Sequence, residues 1–216
     1  MAEQEFTRGL KRALDVTVSM LTLMILSPVM VVVGMLVRWQ MGRPVIFRQQ
    51  RPGYKGIPFN ALKFRSMTDQ RDERGVLLPD ADRMTRLGAF LRRSSLDELP
   101  QFWNVLRGDM SLVGPRPLLM QYMDRYSPEQ GRRHLVPPGI TGWTQVNGRN
   151  DLAWEQKLAL DVWYVDHWSL ALDLRILTIT VWKVLTGEGI AAEGSATMPE
   201  FMGTESGTPE KPARIP

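Results

Sequence analysis

From residue 16 to residue 37 the chain reads VTVSMLTLMILSPVMVVVGMLV, without one charged side chain. No polar face recurs at helical spacing, so the segment lacks the one-sided pattern of a helix lying on a soluble core. As a helix it reaches about 33 Å, close to the thickness of bilayer hydrocarbon. No small-residue cleavage site follows it, which argues against a removable signal peptide. Arg8, Lys11 and Arg12 precede it, and Arg38, Arg43, Arg48 and Arg51 follow it. Basic residues mark the cytoplasmic side of a membrane, so a segment that enters and leaves by one face suits both flanks better than a crossing. Ser27 and Pro28 supply a bend: Pro28 has no N–H for the Met24 carbonyl, and the Ser27 hydroxyl is placed to donate to it instead. These residues alone also allow a straight anchor with a mild kink.

The pattern then changes. Residues 45–50 and 58–67 have strand-like content and RPGYKG supplies a turn, which predicts a β-hairpin. On its second strand Phe59, Ala61, Lys63 and Arg65 share one face, while Leu62 and Phe64 share the other, so Lys63 and Arg65 project two cations together. RMTRLGAFLRRSS predicts a helix with apolar Leu87, Phe90 and Leu91, and with Arg92 and Arg93 at its end. LPQFWNVLRG predicts another, starting near Leu99 because Pro100 is tolerated only in a first turn, and ended by Gly108. MSLV reads as a short strand and PPGITGWTQVNGRN as a long loop that tolerates close backbone approach. WYVDHWSLALDLRILTITVWKVLTG reads as one or two amphipathic helices, with Trp163, Trp168 and Trp182 suited to a membrane interface or to a core. From about Ala192 onward Gly, Ser, Thr, Pro and Glu dominate, which predicts a disordered tail without chemistry. The expected fold is α+β and mainly helical: a membrane segment over residues 1–38, a catalytic part over 39–191 and a tail over 192–216.

Composition narrows the chemistry. Cysteine is absent from the 216 residues, which excludes a disulfide framework, a thiolate nucleophile and a cysteine-held metal. The two histidines, His134 and His167, are far apart in sequence, so a histidine zinc site is not expected. The net charge is +4, and the excess is uneven: up to Arg65 ten basic residues face only Glu3, Glu5 and Asp15. That bias suits anionic lipid, phosphate or nucleic acid. Aromatic residues do not interleave with the basic ones as in a nucleic-acid module, and no nucleic acid is expected as a partner.

Against that background SSLDELPQFWN places Asp97 beside Glu98, among arginines. One account is structural: Ser95 and Glu98 match a capping box, and acids favour a helix N-terminus. The same position also keeps a carboxylate ionised and draws phosphate, and an ionised carboxylate is a nucleophile toward phosphorus. Two adjacent acids could equally recruit Mg2+. Further on, Arg116 stands between Pro115 and Pro117, a stiff loop that would hold a guanidinium for a bidentate phosphate contact.

KFRSM, SLDELPQFWNVLRGDMSLVGPRP and PGITGWTQVNGRN, in this order after a basic, apolar Ser-Pro segment, resemble the bacterial sugar transferases, the monotopic phosphoglycosyl transferases. The resemblance covers about residues 8–187 and looks like the minimal form of the family. It implies transfer of a sugar-1-phosphate from a UDP-sugar to a polyprenyl phosphate at the cytoplasmic face of the bacterial inner membrane, with Mg2+. It further implies that Asp97 forms a covalent phosphosugar intermediate with Glu98 as its dyad partner, in a metal role or a proton role. The family's re-entrant break falls on Ser27 and Pro28, and its basic positions on Lys63, Arg92, Arg116 and Arg149, with Pro115 beside Arg116. Arg65, on the face of Lys63, joins the expected substrate-binding set. Membrane lipids are implied partners, and self-association stays open.

Two other readings compete. A metal-dependent glycosyltransferase would release UDP and could use the Asp-x-Asp triplet of Asp80 to Asp82, in DAD. A non-catalytic adaptor would bind anionic lipid through its basic face without nucleotide turnover.

Overall fold

The computed structural model describes residues 2–148, 152–186 and 200–203. Ala2–Met41 form one long helix, α1, which continues through Pro28. Ser27 Oγ donates to the Met24 carbonyl at 2.8 Å, so the acceptor that proline leaves open is satisfied locally. Over Glu5–Met41 the helix is long and apolar enough to cross a membrane, and only 11% of its most apolar window is buried. It is therefore not covered as the core helix of a soluble protein would be.

Two separate stretches of α1 nevertheless pack on the rest of the chain. In the first, Asp15 and Ser19 are buried, and Asp15 accepts from the Leu112 amide at 3.0 Å. Lys11 reaches the buried Asp173 carboxylate at 2.6 Å and the Val113 carbonyl at 3.1 Å. In the second, Val33 and Val37 join an apolar cluster with Phe64, Leu91 and Leu99. Between the two stretches Met20, Leu21, Met24, Ile25, Val29, Val31 and Val32 face outward.

The hairpin forms as expected. β1 (Ile46–Pro52) pairs antiparallel with β2 (Pro58–Phe64), placing Phe47 opposite Lys63 and Arg51 opposite Phe59. The alternation of β2 serves two cores. Phe59 and Ala61 enter the larger one with Val105, Leu112, Trp143, Tyr164 and Ile176, and Phe64 enters the one that holds α1.

A four-residue turn of helix, α2 (Asp80–Arg83), precedes α3 (Arg86–Arg93), whose cap Thr85 accepts from the Gly88 amide. Gly88 is required by contact: a Cβ there would lie 1.8 Å from the Ser66 carbonyl oxygen. α4 (Gln101–Arg107) ends at Gly108, which takes φ +90°. The expected capping box at Ser95 and Glu98 does not form. Ser95 takes a left-handed conformation, φ 57°, which turns the chain away from α3 and starts a separate 3-10 turn over Leu96–Glu98. Asp97 and Glu98 thus belong to that turn, and Pro100 stands at the N-cap of α4 without a side-chain cap.

β3 (Ser111–Val113) is the expected short strand, but its partner was not anticipated: β4 (Gly139–Thr141), inside the loop PPGITG, pairs with it in parallel. Between them lies α5 (Pro128–Gly131), opened by a capping box of Ser127 and Gln130. α6 (Trp143–Val146), α7 (Trp154–Asp166) and α8 (Leu170–Thr186) complete the helices. Trp163 stacks on Trp143 and His167, and Trp168 donates to Asp173 at 3.1 Å, so of the three tryptophans named above only Trp182 is largely exposed.

Within the stretch expected to be a disordered tail, residues 200–203 return to the fold. Phe201 is 1% exposed and packs with Tyr122 and Leu158.

Candidate active site

The site is assembled around the turn of Asp97 and Glu98. Leu96 and Leu99 anchor it in the apolar cluster with Phe64 and Leu91. From α4, buried Asn104 fixes the distance to β2: its amide nitrogen donates to the Asn60 carbonyl at 2.8 Å, and its oxygen accepts from the Leu62 amide at 3.0 Å. The other end of α4 is held by Arg12, which donates to the Val105 and Leu106 carbonyls at 2.6 and 2.8 Å. Both carbonyls belong to the last turn of α4, and that of Val105 also accepts from the Gly108 amide at 3.0 Å.

With β2 and α4 locked together, Lys63 reaches Glu98 Oε1 at 2.6 Å, and Arg116 Nη2 reaches the same oxygen at 2.7 Å. Burial pushes the Glu98 carboxyl up, but Arg116 and then Lys63 outweigh it and hold the group well below the usual carboxylate range. Asp97 behaves in the opposite way. It is 6% exposed, and burial followed by the Glu98 charge pushes its carboxyl up to about 6, against the pull of Lys63, Arg116 and Arg92. No hydrogen bond or ion pair to the Asp97 carboxylate occurs among the described residues. The turn thus holds one carboxylate fixed by two cations and one buried carboxyl without a partner among those residues.

Arg92 comes from the last turn of α3 and donates from Nε to Ser66 Oγ at 2.9 Å. The close approach at Gly88 makes this contact possible, and it leaves the guanidinium near Asp97. Arg116 projects from the loop after β3. Its backbone carbonyl accepts from Arg133 Nη2 at 2.7 Å, and Arg133 is itself buried against Asp161 at 2.6 Å. Pro115 is buried beside it.

Lys63, Arg92, Asp97, Glu98 and Arg116 therefore converge. Arg65 does not. It lies one residue past the end of β2, where its guanidinium donates to the Met41, Arg43 and Met67 carbonyls and pairs with Asp69. The cation expected beside Lys63 is thus committed to the end of α1. Arg149 lies outside the described residues. Asp80, of the competing Asp-x-Asp triplet, pairs with Arg83. Asn104 and Arg133 were not anticipated: each looks like a polar position on a short helix or turn, and its role rests on contacts far away in sequence.

The donor set fits a hard divalent cation. Carboxylate oxygens suit Mg2+, and a cation beside Asp97 would answer its uncompensated burial. Asp97 and Glu98 are the residues that would hold it. Among the described residues no cluster of three or more acids or histidines could hold a metal by itself, so substrate phosphate and water would complete the shell.

The profile of the bacterial sugar transferase family matches residues 6–187. The chain is 53% identical over 195 residues to an uncharacterized sugar transferase, EpsL, of Bacillus subtilis (strain 168), covering 90% of this chain and 96% of that one. It is 42% identical over 186 residues to the UDP-glucose:undecaprenyl-phosphate glucose-1-phosphate transferase of Escherichia coli (strain K12), covering 82% of this chain and 40% of that one. It is 38% identical over 200 residues to the undecaprenyl-phosphate galactose phosphotransferase of Salmonella typhimurium, covering 85% and 42%. The chain thus spans less than half the length of these two named transferases.

Proposed function

The chain belongs to the bacterial sugar transferase family, and on that footing we propose that it transfers a sugar-1-phosphate from a UDP-sugar to polyprenyl (undecaprenyl) phosphate, releasing UMP. The observation that carries this reading is the contrast inside the dyad: a Glu98 locked by Lys63 and Arg116 beside a buried Asp97 without such partners. The relatives that act on undecaprenyl phosphate support the same substrates.

In the first step an Asp97 carboxylate oxygen attacks the phosphorus that bears the sugar. The new O–P bond forms as the P–O bond to UMP breaks, and UMP carries away the electron pair. Arg116 and Arg92 face the oxygens on which negative charge spreads during the transfer. Glu98 fixes Lys63 and Arg116 in advance, so these cations need not reorganise when charge moves. Bound Mg2+ would supply further charge neutralisation at the phosphate oxygens. In the second step an oxygen of the lipid phosphate attacks the same phosphorus, and the Asp97 carboxylate is released.

The membrane segment serves this chemistry as a hook that stays on the cytoplasmic face. Two stretches of α1, around Asp15 and around Val37, pack on one catalytic body, with exposed apolar Met24, Ile25 and Val29 between them, beside Ser27 and Pro28. A straight crossing would place these stretches about 33 Å apart, on opposite sides of the hydrocarbon. Together with the Ser27 bond to Met24, this supports a re-entrant path.

The test uses the two half-reactions. UDP-sugar and Mg2+ without lipid acceptor should release up to one equivalent of UMP per enzyme. A radiolabelled sugar phosphate should stay on the protein and be freed by hydroxylamine, which cleaves acyl phosphates. Asp97→Asn should abolish both signals. A requirement for polyprenyl phosphate before any UMP appears would remove Asp97 from the nucleophile role.

A further inference from the structure

Phe201 enters an aromatic cradle. Its ring lies 5.7 Å from Tyr126 in a stacked arrangement, 5.7 Å from Tyr122 edge-on, and 5.4 Å from Trp154. Arg125 clasps the segment from outside: it donates to the Glu200 carboxylate at 2.8 Å and to the Phe201 carbonyl. Gln121 adds a bond to Glu200 at 2.6 Å. A side chain this buried, with a charged clasp on its backbone, is docked specifically.

The cradle is built from the chain that follows Arg116. Leu118 and Leu119 pack in the same cluster as Phe201, Tyr122 and Tyr126. Tyr126 leads back to the site by a second route. Its hydroxyl accepts from Arg133 Nη1 at 3.3 Å, and Arg133 Nη2 donates to the Arg116 carbonyl at 2.7 Å. The Arg133 guanidinium also lies over the Tyr126 ring, 5.7 Å from its centre. Phe201 thus supports the Arg116 loop from behind, on one side through Leu118 and Leu119, and on the other through Tyr126 and Arg133.

We propose that Phe201, docked in the cradle of Tyr122, Tyr126 and Trp154, is a positioning residue that sets the Arg116 loop for its phosphate contact. The proposal rests on Arg116 acting on substrate phosphate, as above. Phe201 itself touches no reacting atom. Its ring fills the space against which the loop packs, and without it Tyr126 and Leu118 lose a neighbour and the Arg116 backbone loses its second support.

The test is a double-mutant cycle on kcat/KM for UMP release, using the full chain in detergent or nanodiscs with a responsive UDP-sugar. Phe201→Ala should lower kcat/KM about tenfold or more, as a small misplacement of a phosphate ligand does. In an Arg116→Lys background the same change should cost less than about twofold, because coupled residues are not additive. Phe201→Leu, which keeps apolar bulk, should recover most of the loss. Arg125→Gln removes the clasp and leaves the ring partners in place, so it should show the same coupling to Arg116 even where Phe201→Ala folds poorly. Equal losses in both backgrounds, or native activity in both Phe201→Ala and Arg125→Gln, would overturn the positioning role. Native turnover in Arg116→Lys and Arg116→Ala alone would instead overturn the assigned role of Arg116, and this proposal with it.

Discussion

Asp97 and Glu98 are adjacent in the chain, yet their carboxyls shift in opposite directions: Asp97 is pushed up to about 6, and Glu98 is held below the usual range. Burial acts on both, and the difference lies in partners. Lys63 and Arg116 meet on one Glu98 oxygen and leave Asp97 with burial and a negative neighbour. The Asp97 carboxyl, the nucleophile of the proposed reaction, is thereby made costly to ionise.

That cost predicts a stability change with a definite sign. The folded-state value of Asp97 lies above the unfolded 3.8, so the folded protein binds the extra proton between about pH 4 and 6. Stability is lost as pH rises through this window. Asp97→Asn should therefore be more stable than the native protein above pH 6, by at most about 3 kcal/mol, and the advantage should vanish near pH 4. Thermal unfolding with chelator present measures it. Adding Mg2+ at pH 7.5 should raise the native midpoint more than that of Asp97→Asn, and equal responses would place the ion elsewhere.

Arg116→Lys keeps the charge and loses the planar fork. The loop between Pro115 and Pro117, held at its carbonyl by Arg133, cannot move to compensate for a shorter reach. A drop in kcat/KM of about tenfold or more is expected. Activity within twofold of native would show that only general positive potential is required.

Gly88→Ala tests how Arg92 is delivered. A Cβ at 1.8 Å from the Ser66 carbonyl must push α3 away from the end of the hairpin. The expected cost is about 1–3 kcal/mol of stability, as for other overpacked contacts. UMP release should fall as well, because Arg92 Nε is tied to Ser66 Oγ. Chemical denaturation and turnover on the same preparation separate the two effects.

Pro28→Ala restores an N–H for the Met24 carbonyl and favours a straighter helix. A reporter fused to the N-terminus should be cytoplasmic in the native protein and appear at least partly outside in the variant. A native N-terminus already outside would end the re-entrant reading.

The legible parts of this molecule were the local ones. The hairpin, the helix closed by Gly108 and the Ser27 bond to Met24 depend on residues within a few positions of one another, and each formed as its pattern predicts. The setting of Asp97 and Glu98 differs from the one their sequence suggests. A capping box was plausible from Ser95 and Glu98, and the left-handed turn at Ser95 replaced it, because Leu96 and Leu99 are drawn into the cluster under α1. β4 escaped notice because the prolines and glycines around Ile140 read as a loop, whereas β3 lies in the apolar run MSLV. Arg65 shared a face with Lys63 in the sequence pattern, but the strand stops at Phe64, and the Met41 carbonyl at the end of α1 and the Arg43 carbonyl just past it claim its guanidinium. Phe201 sat in a composition typical of disorder, and only a cradle formed more than 40 residues earlier gives it a place.

Lys11, Arg12, Asp15 and Val37 have a further implication for how this protein can be dissected. Residue 38 divides apolar from polar sequence, but it is not a seam in the fold. Removing α1 would leave the Asp173 carboxylate without its lysine, the Val105 and Leu106 carbonyls without Arg12, and Phe64 and Leu91 without a cover. A water-soluble fragment starting after α1 would therefore be an incomplete core, inviting aggregation wherever that face is bare. Modular exchange, in which one catalytic body is shuffled among different lipid-binding leaders, is closed to this architecture unless the replacement helix reproduces those contacts.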